Sequence, residues 1–143
     1  MIRKLLAIAA SCAALITPTL GYAANTTGKI VLHLRKTQAA VIHDSDHVWA
    51  DKDLIPTGVP EKQPDIYTAR RVTSAGTLLL SQNTSDCTTQ SMCAFEFILI
   101  KKNHQSKILA DGYMMWGGDA TMSRDMKTLT VDTFNGEHKY NLK

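Results

Sequence analysis

The sequence has little of what marks a catalyst or a stapled scaffold. Three cysteines and four prolines occur in 143 residues, and glycine and proline together number twelve. Those counts exclude a collagen-like chain and a disordered linker. The length is that of one ordinary domain, so separate cofactor and substrate domains do not fit. Gly-x-Ser-x-Gly, the phosphate-binding Gly-x-x-x-x-Gly-Lys, Gly-x-Gly-x-x-Gly and His-Glu-x-x-His are all missing. There is no internal repeat, no run of more than two like charges, and little helical periodicity. An enzyme is not expected, and neither is a cofactor.

The one long apolar run lies at the start. Arg3 and Lys4 precede the uncharged stretch Leu5 to Leu20, and Gly21-Tyr22-Ala23 supplies the small residues that a signal peptidase reads. Those three parts predict a cleaved secretory signal over residues 1–23, with a single β-rich domain over 24–143. The run is short for a bilayer span and Pro18 breaks its end, so no membrane span is expected after cleavage. A lipoprotein form is the alternative, because Ala9-Ala10-Ser11-Cys12 loosely resembles a lipobox. Cleavage removes two of the sixteen basic residues and leaves 14 against 13 acidic ones. Such a balance gives no pull toward nucleic acid. The expected location is periplasmic or secreted.

Cleavage also removes Cys12, leaving Cys87 and Cys93. An even pair in an oxidising compartment predicts one disulfide, closing a loop small enough to stabilise by only about 2 kcal/mol. The spacing is not that of a thiol–disulfide oxidoreductase.

Short runs rich in Thr, Val, Ile and aromatics, bounded by turn residues, predict a mainly β fold. The expected architecture is one antiparallel sheet domain, a sandwich or a partly open barrel or meander. Strands are expected at Lys29 to Arg35, Ile66 to Thr73, Thr77 to Ser81, Ala94 to Lys101, Lys107 to Trp116, Asp119 to Ser123 and Met126 to Phe134. Ala94 to Lys101 is nearly continuous in apolar residues, so it reads as a central strand, in which Glu96 needs a partner or an edge. Gly112 suggests a bulge and Gly117-Gly118 a hairpin turn. Asn135-Gly136 predicts a C-terminal β-hairpin with a type I′ turn. That register sets Phe134 opposite Glu137, Asp132 opposite Lys139, Val131 opposite Tyr140 and Leu129 opposite Leu142, with the apolar four facing the core. Residues 36–65 contain Pro56, Pro60 and Pro64 and read as a long Pro-containing loop after a short element at Thr37 to Ile42.

The most polar stretch runs from His43 to Asp53. Asp44, Asp46, Asp51 and Asp53 surround Trp49, a charged rim about an aromatic anchor, and this predicts contact with a basic protein partner. His43 and His47 share a face and are the weak candidates for a metal site, with Asp44 or Asp46 completing the shell. No Glu adjoins the first histidine as in a zinc protease, and no metal is expected. A solvated loop with Trp49 tucked into the core is the plainer reading. Arg70-Arg71 should place its two guanidinium groups on opposite faces of a strand. Tyr113-Met114-Met115-Trp116 should bury alternate members.

No family is recognisable from these motifs. In general form the chain resembles small exported binding proteins of the bacterial periplasm, such as lysozyme inhibitors and immunity proteins against cell-wall-degrading toxins. That likeness implies an inhibitor or immunity protein acting on a basic hydrolase or toxin, as a monomer or homodimer. A pilus or envelope-assembly subunit and a small-ligand carrier are the alternatives.

Overall fold

A computed structural model describes residues 28–55 and 63–143. The expected signal peptide and its cleavage site, and Pro56 and Pro60, lie outside the described residues. Among the described residues nine strands form two antiparallel sheets. They are β1 (Lys29–His33), β2 (Arg35–Gln38), β3 (Ile66–Thr73), β4 (Gly76–Cys87), β5 (Met92–Ile100), β6 (Ser106–Met115), β7 (Asp119–Ser123), β8 (Thr128–Thr133) and β9 (Gly136–Asn141). Among the described residues one short helix, α1 (Asp51–Leu54), accompanies them. The sheet orders are β1-β7-β8-β9 and β2-β3-β4-β5-β6. The mainly β, antiparallel expectation therefore holds, with β5 inside its sheet as its apolar run requires.

Period-two alternation supplies the core. Leu78 and Leu80 of β4, Phe95 and Phe97 of β5, and Met114 of β6 point to the four-stranded sheet. They meet Leu32, Ala120, Met122, Leu129 and Val131. Burying each large side chain contributes about 1.5–3 kcal/mol. In β4 the apolar run ends in buried Gln82 and Asn83, and the strand continues to Cys87 rather than stopping at Ser81. These amides are satisfied. Gln82 donates to the carbonyls of Met114 and Met115 and accepts from the Gly117 amide.

Several sequence expectations are corrected. Lys29 to Arg35 is not one strand, because the chain changes sheets at buried Leu34. Gly117-Gly118 is not a hairpin turn, since β6 and β7 belong to different sheets. The meander divides there. The bulge in β6 falls at Leu109, where Phe97 pairs Ala110 and Ile98 pairs Ile108. The extra residue turns Leu109 into the core. Gly112 instead makes room: a Cβ on it would lie 2.4 Å from the Tyr140 hydroxyl.

The C-terminal hairpin exists, but its register differs by two residues. Thr133 pairs Gly136, Asp132 pairs Glu137, Val131 pairs His138 and Leu129 pairs Tyr140. The turn is Phe134-Asn135, neither of which has positive φ, so it is not type I′. Gly136, directly after the turn, takes φ of 101° instead. The β3–β4 turn repeats the device, with Thr73 opposite Gly76. In both hairpins the threonine hydroxyl donates to the glycine carbonyl. A two-residue shift preserves faces, so Leu129 and Val131 are still buried and Tyr140 and Leu142 still pack on the core.

The segment after β2 covers the outer face of the five-stranded sheet. Leu54 of α1 is fully buried, and the outward residues Leu79, Ser81 and Asn83 of β4 are closed from solvent. The stretch is thus only partly the open loop expected of it: Lys36 to Gln38 belong to β2, and residues 51–54 form α1.

An acidic cleft on the outer sheet face

The 43–53 segment is organised by Asp44. Its side chain is buried, and both oxygens are engaged. Oδ1 accepts from Gln38 Nε2 at 2.7 Å and from the Asp46 amide at 3.0 Å. Oδ2 accepts from the Val48 and Trp49 amides at 2.8 and 3.1 Å. A carboxylate so placed fixes the loop by bonding the backbone ahead of it. Asp44 is therefore an internal strut, unavailable for partner contact. Asp46 pairs with Arg70, and exposed Asp51 accepts from or shares a proton with His43 Nδ1 at 2.8 Å.

Trp49 is half-buried, which falls between the anchor and core readings of it. Its indole N–H donates to Ser81 Oγ at 2.9 Å, holding the ring against the sheet. The Asp53 carbonyl accepts from Asn83 Nδ2 and Ser85 Oγ at 3.0 and 2.5 Å, so α1 is tied to β4 by main chain while the Asp53 carboxylate stays exposed. His47 is exposed with φ of 55°. His43 and His47 join no metal-capable group, as no three His, Cys, Asp or Glu side chains are placed to hold one metal ion among the described residues.

Trp49 and Asp53 open onto a cleft of about 430 Å³. Its other walls are Asn83, Ser85 and Asp86 of β4 and Glu96 of β5, with Lys52 the single cation among the described residues that line it. Asp111 of β6 stands directly across the ladder from Glu96. Burial, then the charges of Asp111 and Asp53, pushes the Glu96 carboxyl above its ordinary range. Tyr113 donates to Asp86 Oδ2 at 2.7 Å, and that bond, with burial and the Asp86 charge, raises the phenol. Three carboxylates lining one cleft, a fourth adjoining it and one ammonium give a site that favours cations. A guanidinium or ammonium entering it would offset the repulsion from Asp111 and Asp53 that adds to burial in raising Glu96.

Of the five acidic-loop residues expected to act together, Trp49 and Asp53 reach the cleft, whereas Asp44 and Asp51 bond within the loop and Asp46 pairs with Arg70 of β3. Asp86 and Asn83 are site residues that the sequence does not single out, and Glu96 stands out there only as a charge in an apolar strand. Part of the signal is local: Asn83 and Ser85 alternate outward from the same strand that buries Leu78 and Leu80.

Cys87 and Cys93 are disulfide-bonded at the head of the β4–β5 hairpin, next to Asp86. In the apolar tetrad Tyr113-Met114-Met115-Trp116, Met114 is fully buried and Tyr113 is 40% exposed, as alternation requires, but Trp116 is 55% exposed rather than buried with Met114, because β6 ends at Met115. Among the described residues no helix is long and apolar enough to cross a membrane. Comparison of the chain with protein-family models, curated proteins and solved structures finds no match.

Proposed function

We propose that this is an exported protein-binding protein, of the inhibitor or immunity kind, which blocks a basic cell-wall-degrading enzyme or toxin by taking a cationic segment of it into the acidic cleft. The observation that supports this reading is the convergence of Asp53, Asp86 and Glu96 beside Trp49 in one open cleft. Clustered negative charge steers a cationic partner and sets the on-rate, and a half-buried tryptophan supplies an anchor that slows release. The reading involves no catalysis.

The test uses the mature protein to capture partners from periplasm and culture medium, with identification by mass spectrometry. Binding of the captured partner is then timed against Asp53→Asn, Glu96→Gln and Trp49→Ala variants. The two carboxylate variants should slow association and flatten its salt dependence, and Trp49→Ala should speed dissociation. Asp44 is not a suitable probe, since replacing it disturbs the loop. A partner whose kinetics ignore all three changes sinks the proposal.

A further inference from the structure

A second surface, opposite in sign, lies where the chain changes sheets. β1 pairs β7 on one side only, and β2 pairs β3 only over Ile66–Thr68. Beyond Thr68, β3 runs on to Thr73, and its edge away from β4 has no strand partner among the described residues. The free edge of β1 lies nearby, with Cα atoms of the two strands within 8 Å. Arg70, Arg71 and Val72 of the β3 edge are all exposed, Val72 by 80%.

A groove of about 420 Å³ occupies this junction. Val31, His33 and Arg35 form one wall, and Ala69, Arg70 and Arg71 the other. Both arginines of the Arg70-Arg71 pair line it, although successive strand residues point to opposite faces, because the groove wraps an open edge rather than lying on one face. No carboxylate is among its lining residues. Arg70 is held by Asp46 and His33 by Asp119, while Arg35 and Arg71 make no ion pair among the described residues.

We propose that this groove accepts an extended acidic segment of a protein partner, which adds as a strand along Ala69–Thr73. Two independent features meet here. An unpaired strand edge offers backbone donors and acceptors that a peptide satisfies by strand addition. The guanidinium groups select which peptide: they repel or strand a basic one and pair with carboxylates through two parallel hydrogen bonds. Arg71 and Arg35 lie on opposite faces of the five-stranded sheet, because Arg35 pairs Thr68 and Arg71 is three residues further along β3. Adjacent acidic residues, one on each face of the incoming strand, therefore match them. The site shares no residue with the acidic cleft and stands whether or not that cleft binds a basic partner.

The test titrates the mature protein with capped Thr-Val-Glu-Glu-Val-Thr, its Lys-Lys counterpart, the acidic peptide with alternate amides N-methylated, and inorganic phosphate. Nuclear magnetic resonance follows binding and amide exchange. The acidic peptide should shift and protect amides across residues 69–73, weakening with salt and by about fivefold in Arg71→Gln, the upper range for an exposed ion pair. Asp53→Asn should leave its affinity unchanged, which separates this site from the cleft. Because Arg35 and Arg71 are exposed, Arg35→Gln offers a second variant that keeps the fold. Absence of binding overturns the proposal. Equal binding of the lysine or N-methylated peptide does the same, as does protection reproduced by phosphate alone, since each removes either the charge or the strand pairing from the account.

Discussion

Replacing Asp44 by asparagine changes almost no volume and should nonetheless release the loop that carries Trp49. The aspartate meets four donors: Gln38 Nε2 and the Asp46 amide at one oxygen, the Val48 and Trp49 amides at the other. Asparagine has one acceptor oxygen and one donor group. In either orientation two N–H groups face an NH₂. Turning Gln38 around gives no relief, because its Oε1 already accepts from the Ser45 amide at 3.0 Å. Each buried donor left unpaired costs about 1–3 kcal/mol, so the pair costs about 2–6 kcal/mol. The loop is a surface segment and can open on its own, so the loss should register locally before it registers globally. At about 2 kcal/mol, amide exchange at Val48 and Trp49 accelerates about 30-fold. Exchange in β4 and β5 should change much less. Asp51→Asn is the control, because the exposed Asp51 carboxylate bonds only His43 among the described residues. Exchange at Val48 and Trp49 within threefold of the parent protein would refute the role given to Asp44.

Gly112→Ala should destabilise by about 1–3 kcal/mol, the cost of overpacking, because the added methyl meets the Tyr140 hydroxyl at 2.4 Å while that ring packs edge-on against Phe95. Adding Tyr140→Phe should restore part of the loss in a denaturant-unfolding double-mutant cycle, and additive losses would exclude the contact. Gly136→Val should cost roughly 1 kcal/mol or more through backbone strain alone, since a Cβ there would have no atom within 4 Å while the φ is 101°. An unchanged denaturation midpoint would remove the strain from the account. Glu96→Gln bears on pH. The folded carboxyl sits above its unfolded value of 4.5, so the folded state holds the proton more tightly and stability falls as pH rises through and above 4.5. The variant should gain stability over the parent at pH 7 and lose that advantage below pH 4, and a pH-independent difference in unfolding midpoint would contradict the assignment.

What is legible in the sequence is the pattern that repeats every two residues. Alternation locates most strands and puts Leu129, Val131, Tyr140 and Leu142 on the core face, and that placement survives a wrong register because the error is an even number of residues. The turn itself is not legible: Asn-Gly permits positive φ at both positions, but the chain asks for it only at Gly136. Gly117-Gly118 carries the same signal as a hairpin while serving a crossover, and nothing local separates the two. The candidate site is legible only in its loop half. Asp44 and Asp53 look alike in sequence, yet one is enclosed by four donors and the other faces solvent. Which is which depends on Gln38, Asn83 and Ser85, brought there by the sheet. Asp86 and Glu96 enter for the same reason, through a ladder in which Glu96 stands between Ser81 and Asp111.

The two sheets differ in how far apart along the chain their partners are made. β3 to β6 are joined by successive hairpins, so that sheet can zip from neighbouring segments. β1 has to wait: Lys29 pairs Ser123, a closure of roughly ninety residues whose chain entropy must be met before its contacts form. In kinetic terms β1, the first strand among the described residues, should be among the last to dock. Until β7 arrives, β1 has no strand to pair with and Leu32 has only the five-stranded sheet to pack against, and a chain ending before Asp119 lacks the strand against which β1 pairs. Order of folding should then run against order of synthesis, and slow steps in refolding should be sought in the joining of β1 to β7.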